Sequence, residues 1–155
     1  MAQDLPIIER RRIEAEILKQ VYDILRERHG EVEARAVIAA AVRKSSLAQA
    51  GEFARRTEGG TSLQSFIDLQ ALWTAGDALE IEVRERSEKT FAFDVRRCRY
   101  AEMYKAMGLG EIGHLLSCNR DGTFCEGYDP KLKLTRTQTI MQGASHCDFR
   151  YRYED

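Results

Sequence analysis

The chain lacks any apolar run approaching the eighteen or so residues needed to span a bilayer, which excludes a membrane-spanning helix. It lacks a charge excess as well: 24 basic side chains stand against 25 acidic ones, spread along the whole length, for a formal net charge of −1. Nucleic-acid-binding domains carry a strongly basic footprint, so that class is excluded too. Cysteine is missing from the N-terminal part. All four, Cys98, Cys118, Cys125 and Cys147, fall later, and no compact Cys-x-x-Cys knuckle of the common zinc sites occurs. A chain of 155 residues buries about two thirds of its unfolded surface and needs no disulfide staples, so reduced thiols are expected. Such thiols are buried small hydrophobes, metal ligands or nucleophiles. Internal repeats, low-complexity stretches and linkers are absent. One domain over 1–155 is therefore expected, helical through 75 and carrying the site from 76 onward. Met1-Ala2-Gln3-Asp4-Leu5-Pro6 is acidic and polar where a signal peptide is basic and then apolar, so a cytoplasmic location is expected.

What the sequence does have is periodicity. Asp4 as cap and Pro6 in the first turn predict a helix start, and no breaker occurs through Arg28. Ile13, Ile17, Val21 and Ile24 recur at three- and four-residue steps, with Leu18, Tyr22 and Leu25 widening the stripe. This predicts an amphipathic helix with that face buried, ended by His29-Gly30. The Arg10-Arg11-Arg12 run, balanced by Glu9, Glu14 and Glu16, reads as a solvated face. A second helix runs from about Glu31 to Arg56, and Ala39, Ala40 and Ala41 on it suit close packing in a homo-oligomer contact. Thr61 or Ser62 caps a third, with Leu63, Phe66, Ile67, Gln70 and Trp73 on one face.

After Gly76-Asp77 the period drops to two. Leu79, Ile81 and Val83 alternate with charges, then Phe91, Phe93 and Val95 do the same, which predicts an antiparallel hairpin. Helices follow over Cys98–Met107 and from about Gly110. Lys131–Thr139 and Cys147–Tyr153 then read as strands, joined through Gln142-Gly143-Ala144-Ser145. The expected fold class is α+β: about four antiparallel strands in two hairpins, helices packed on one face, and long N-terminal helices.

Two clusters hold the chemistry. His114, Cys118, Asp121 and Cys125 are spaced so that one helix would carry all of them on one stripe, provided Asn119-Arg120-Asp121-Gly122 does not form a turn. His146-Cys147-Asp148 opens the last strand; there Cys147 shares a face with Phe149, while His146, Asp148 and Arg150 take the other. The bland readings are a capped helix with two buried thiols and an edge-strand salt bridge. Two chemistries fit the functional readings. Either a thiolate of Cys118 or Cys147 attacks an electrophilic carbon with His114 or His146 as base, or Cys and His side chains hold zinc or another divalent metal that activates water. The thiol route needs no cofactor. Arg136 offers a fork for a substrate carboxylate, with Thr137 and Thr139 beside it, or else is a surface cation.

Several separated pieces carry a resemblance. They are Cys98 through Gly108, Leu116 to Asp121, Glu126 to Pro130, Leu134-Thr135-Arg136-Thr137-Gln138-Thr139 on to Gly143, and Cys147-Asp148-Phe149-Arg150-Tyr151. Together they resemble the L-2-amino-thiazoline-4-carboxylic acid hydrolase family over roughly the last third to two fifths of the chain, matching at Cys98, Cys118, Asp121, Arg136, Thr139, Gly143, Cys147 and Asp148. The resemblance implies hydrolytic opening of a small cyclic amidine, as a 2-amino-thiazoline ring opens to an N-carbamoyl amino acid. On chemical grounds Asp121 or Asp148 then handles protons, Cys118 or Cys147 is nucleophile or metal ligand, and Arg136 clamps a carboxylate. His146 is a further catalytic candidate, and His114, Cys125, Thr137 and Thr139 are candidates for binding the substrate, on chemical grounds and not through the resemblance. The alternative is a small-molecule or redox-sensing domain that uses the same cysteine-rich pocket without turnover. In either case the expected partner is a small molecule, with neither nucleic acid nor membrane involved.

Overall fold

A computed structural model describes residues 5–155; the expected cap at Asp4 lies outside them. Helix α1 (Ile7–His29) starts directly after Pro6, whose carbonyl accepts from the Glu9 and Arg10 amides. Gly30, at φ 88°, turns the chain straight into α2 (Glu31–Arg56), a reversal that suits a residue without Cβ. α2 buries an i, i+4 track of Ala34, Ile38, Val42, Ser46 and Ala50. α3 (Leu63–Thr74) begins with a reciprocal cap in which the Ser62 and Ser65 hydroxyls each accept from the other's amide.

The buried face of α1 is not the expected one. Ile7, Arg11, Ala15 and Tyr22 are buried, whereas Ile13, Ile17, Val21 and Ile24 are 50, 67, 38 and 48% exposed. The helix carries apolar side chains on two faces, and the rest of the molecule covers only the one bearing Tyr22, Leu18 and Leu25. The same rotation corrects the reading of the arginine run as solvated, because Arg11 lies one turn after Ile7 on the covered face and is 2% exposed. Of the Ala39–Ala41 run on α2, Ala40 and Ala41 are exposed and Ala39 is half-buried.

Strands β1 (Leu79–Arg86), β2 (Thr90–Cys98), β3 (Leu132–Thr135) and β4 (Cys147–Tyr153) form one antiparallel sheet in the order β1-β2-β4-β3. The α+β class, the two hairpins and the helical layer are as the alternation predicts. Across the central pair Phe91 faces Tyr151, Phe93 faces Phe149 and Val95 faces Cys147, giving an apolar face that packs with Phe66, Phe124 and Tyr128 from the helices. Between the hairpins lie α4 (Arg99–Ala106), a π-helical turn at His114–Cys118 and α5 (Asn119–Tyr128). The segment Asn119–Gly122 therefore continues as helix. Gly127 lets α5 approach α2 closely, since a Cβ there would sit 2.9 Å from the Leu47 carbonyl and from the Ala50 side chain. β3 is shorter than the expected Lys131–Thr139, because Asp148 draws the amides of Thr137 and Gln138 to its side chain and away from the ladder. No helix among the described residues is long and apolar enough to cross a membrane.

On the opposite face of the sheet Asp94 is 2% exposed and accepts from Arg84 at 2.8 Å and Arg150 at 2.9 Å. Burial alone would raise its carboxyl, but the hydrogen bonds from Arg150 and Arg84 prevail and hold it below the ordinary value. A depressed carboxylate stabilises the fold above its unfolded pKa, about 3.9, and loses that contribution as pH falls through the folded value. Asp94→Ala should cost about 1–3 kcal/mol in urea denaturation at pH 7, a range discounted for the half-exposed arginines. The difference from wild type should shrink below about pH 4.

Candidate active site

The sheet's apolar face, α4 and the π-turn with α5 enclose a cavity of about 60 Å³. Cys147 and Phe149 reach it from β4, Cys118, Arg120 and Asp121 from the turn and α5, and Cys98 and Tyr104 from the end of β2 and α4. Arg11 reaches it from α1, and Arg136 from the chain leaving β3. A side lobe of about 30 Å³ shares Arg11, Arg120, Asp121 and Phe149. On the outer side, Cys118 and Arg136 also line an open surface cleft of about 420 Å³. These two residues thus form a wall shared by the narrow cavity and the open cleft.

An ion pair holds that wall. Arg136 Nη1 donates to Asp121 Oδ2 at 2.6 Å, Nη2 donates to the Cys118 carbonyl at 2.9 Å, and the guanidinium lies over the Phe149 ring, 5.1 Å from its centre. Burial pushes the Asp121 carboxyl above its ordinary value against the pull of Arg136. The Asp121 side chain nevertheless keeps 23% of its surface accessible, so protons can reach it.

The thiols are held protonated. Cys98 caps α4, its Sγ accepting from the Ala101 amide at 3.4 Å, and Cys147 Sγ accepts from the Ile140 amide at 3.2 Å. Desolvation outweighs these bonds: Cys98 is pushed up to about 11, Cys147 is raised, and Cys118, beside Asp121, is raised furthest. All four cysteines are free. Among the described residues no three His, Cys, Asp or Glu side chains converge to hold a metal ion.

Residues 10–151 match the family described as L-2-amino-thiazoline-4-carboxylic acid hydrolase. The chain belongs to that family. No curated protein matches it. Among solved structures it is similar to the phenol-responsive sensory domain of the transcription activator PoxR with phenol, at 12% identity and TM-score 0.53, over 90% of this chain and 73% of that one. It is also similar to a trafficking protein particle complex subunit 3 from Naegleria fowleri covalently bound to palmitic acid, at 10% identity and TM-score 0.53, over 94% of this chain and 96% of the other. At such identities the likeness is one of fold.

Of the family's matching positions, Cys98, Cys118, Asp121, Arg136 and Cys147 meet at the cavity. Asp148 does not: strand alternation places it on the sheet face opposite Cys147, where it holds Thr137 through amide and hydroxyl, and it is lowered because those hydrogen bonds outweigh burial. His146 bonds with Ser145 and Gln138 away from the cavity. Thr139 caps the short turn at Ile140–Gln142, and Cys125 lies in the aromatic core. The π-turn adds a residue to the helical spacing, and His114 lies apart from the cavity, lowered by burial and by nearby Arg35. No imidazole therefore lines the cavity. Arg11, Arg120 and Tyr104 do, and sequence reasoning passed over all of them; Arg11's place one turn from both Ile7 and Ala15 was the available signal.

At pH 7.5 iodoacetamide should alkylate Cys98 and Cys118 about a hundredfold more slowly than a free thiol, and all four cysteines rapidly once the chain is unfolded. Peptide mapping after timed labelling measures this, and a Cys118 faster than free glutathione would refute the protonated state.

Proposed function

We propose that the chain is a hydrolase that opens a small cyclic amidine of the 2-amino-thiazoline-4-carboxylate kind. The observation that carries this reading is the partly buried Asp121 carboxyl, held by Arg136 where a narrow cavity meets an open cleft. A cavity that holds benzene measures about 150 Å³. The cavity here, at about 60 Å³, takes a few waters but no ring. A ring is admitted when the Arg136–Asp121 pair opens and joins the cavity to the cleft. The incoming amidinium then replaces Arg136 as the partner of Asp121, so the carboxylate is not left uncompensated.

Water attacks the ring carbon between nitrogen and sulfur, and Asp121 takes its proton as the C–O bond forms. The tetrahedral adduct collapses with cleavage of the C–S bond, and the proton on Asp121 passes to the departing sulfur. The water's second hydrogen leaves to solvent with the positive charge of the amidinium, and an N-carbamoyl product with a free thiol remains. A carboxyl raised by burial suits this double duty, because its proton affinity lies nearer the working pH. With the thiols protonated and no imidazole beside them, water is preferred to cysteine as the nucleophile. The second reading, ligand binding without turnover, draws on the fold shared with a phenol-responsive sensory domain.

Mass spectrometry of 2-amino-thiazoline-4-carboxylate incubated with the protein distinguishes the two, since saturable binding with no N-carbamoyl product would leave only the sensor. Asp121→Asn should lower kcat about 10²–10⁴-fold with native circular dichroism. In wild type kcat/KM should fall as pH drops through the raised Asp121 value, and this acid limb should vanish in Asp121→Asn. Cys118→Ala should retain ring opening within about tenfold, and loss of turnover in a folded Cys118→Ala would move the attack to its sulfur.

A further inference from the structure

The wall of the cavity away from Arg136 has a charge imbalance. Arg11 and Arg120 both line the cavity, at 2% and 5% exposure. Arg11 donates from Nη1 to Glu14 at 3.1 Å and from Nη2 to the Gln49 side-chain oxygen at 3.1 Å. Arg120 donates from Nε to the Leu116 carbonyl at 2.9 Å, from Nη1 to the Ser45 hydroxyl at 3.4 Å, and from Nη2 to the same Glu14 at 3.3 Å. One carboxylate thus serves two guanidiniums, while Asp121 is occupied by Arg136. Among the described residues around the cavity, the arginines Arg11, Arg120 and Arg136 therefore face only Glu14 and Asp121, which leaves one buried positive charge unmatched. The consequence registers on Arg120, which burial first and then Arg11 pull down to about 10. Buried charge without a counter-charge is costly, and an anion from outside offsets it.

Independent of charge, a donor is left without a partner. Tyr104 is 1% exposed, lines the same cavity, and its hydroxyl makes no hydrogen bond. Ser117 lies close enough to influence that hydroxyl but not in bonding geometry, and Arg11 and Arg120 act on it as well. The amide nitrogen of Gln49, the residue that holds Arg11, is likewise buried and unpartnered. Buried polar atoms are seldom left unpaired, so this wall is incomplete as it stands.

We infer that Arg11, Arg120 and Tyr104 form the subsite for the carboxylate of the ligand, and that they, and not Arg136, make the site selective for acids. The inference deepens the ring-opening reading of this cavity and rests on it. A monoanion matches the single unmatched charge, and a planar carboxylate meets a guanidinium fork edge-on while accepting from a phenol. A phosphate is bulkier and doubly charged, and fits neither the volume nor the count. Arg136, by contrast, has a carboxylate of its own in Asp121, whereas Arg11 and Arg120 share Glu14.

The test compares binding of 2-amino-thiazoline-4-carboxylate, its carboxamide and unsubstituted 2-amino-thiazoline to the full chain, by thermal shift and calorimetry, with turnover read separately by mass spectrometry. The acid should bind at least about tenfold more tightly than the amide, and Arg11→Met and Tyr104→Phe should each weaken acid binding about tenfold. Tyr104→Phe removes a hydroxyl that bonds to nothing, so it should fold even if Arg11→Met does not. Equal binding of acid and amide, no binding of any of the three, or undiminished acid binding in Tyr104→Phe overturns the subsite. Acid-selective binding without product upholds the subsite and defeats the hydrolase reading. Turnover of the amide as readily as the acid defeats the subsite and leaves the hydrolase reading standing.

Discussion

Arg136 and Asp121, 2.6 Å apart, join the end of a strand to the first turn of α5, and much of the molecule is arranged around that contact. β3 stops at Thr135 so that the next residue can leave the sheet and reach α5. The departure strands the amides of Thr137 and Gln138, and Asp148 on β4 receives both. Without that acceptor the chain would either stay in the ladder, carrying Arg136 away from Asp121, or leave two amides short of partners. Thr139 then caps the short turn that delivers the Ile140 amide to Cys147. A run of polar residues in a sequence that reads as strand is thus a device for ending the sheet where the cavity begins.

That device separates what could be read from the sequence from what could not. Period-two alternation in 79–95 and 147–153 defines the strands, and the partition of Cys147 from Asp148 follows from alternation alone. The convergence of Cys118, Asp121, Cys147 and Arg136 was legible from family-like spacing in pieces far apart along the chain. Arg11 was not, because a charged triplet balanced by glutamates looks solvated until the phase of α1 is known. That phase is ambiguous in the sequence: Ile13, Ile17, Val21 and Ile24 make the stronger stripe, yet the face bearing Ala15 and Tyr22 is the one covered. Nor could the π-turn at His114–Cys118 be foreseen, and one added residue there breaks the expected alignment of His114 with Cys118.

The fold is shared with proteins whose names describe quite different ligands, phenol and a palmitoyl chain among them. A shared scaffold does not fix the ligand, and in this chain the scaffold holds buried charge. An apolar wall of Val95, Leu79, Met141 and Phe149 would serve any small hydrophobe. Burying three arginines against it sacrifices stability, because each guanidinium must be taken out of water and only partly recovers the loss through its partners. Natural sequences break the rules of core packing at the sites where they work, and here the breach is concentrated in one cavity.

The same electrostatics explain why a carboxyl can be both buried and useful. Alone in an apolar cavity Asp121 would be a neutral acid, and fully paired with an exposed arginine it would be an inert carboxylate. Desolvation drives it toward the first state and Arg136 toward the second, while Arg11 and Arg120 add a more distant pull in the same direction as Arg136. A group poised between opposing influences changes protonation when one of them moves, and Arg136 is the one at the solvent boundary. In the proposed reaction, opening the wall to admit a ligand would therefore also alter the proton affinity of the carboxyl behind it. Access and proton transfer would thus be coupled through a single side chain.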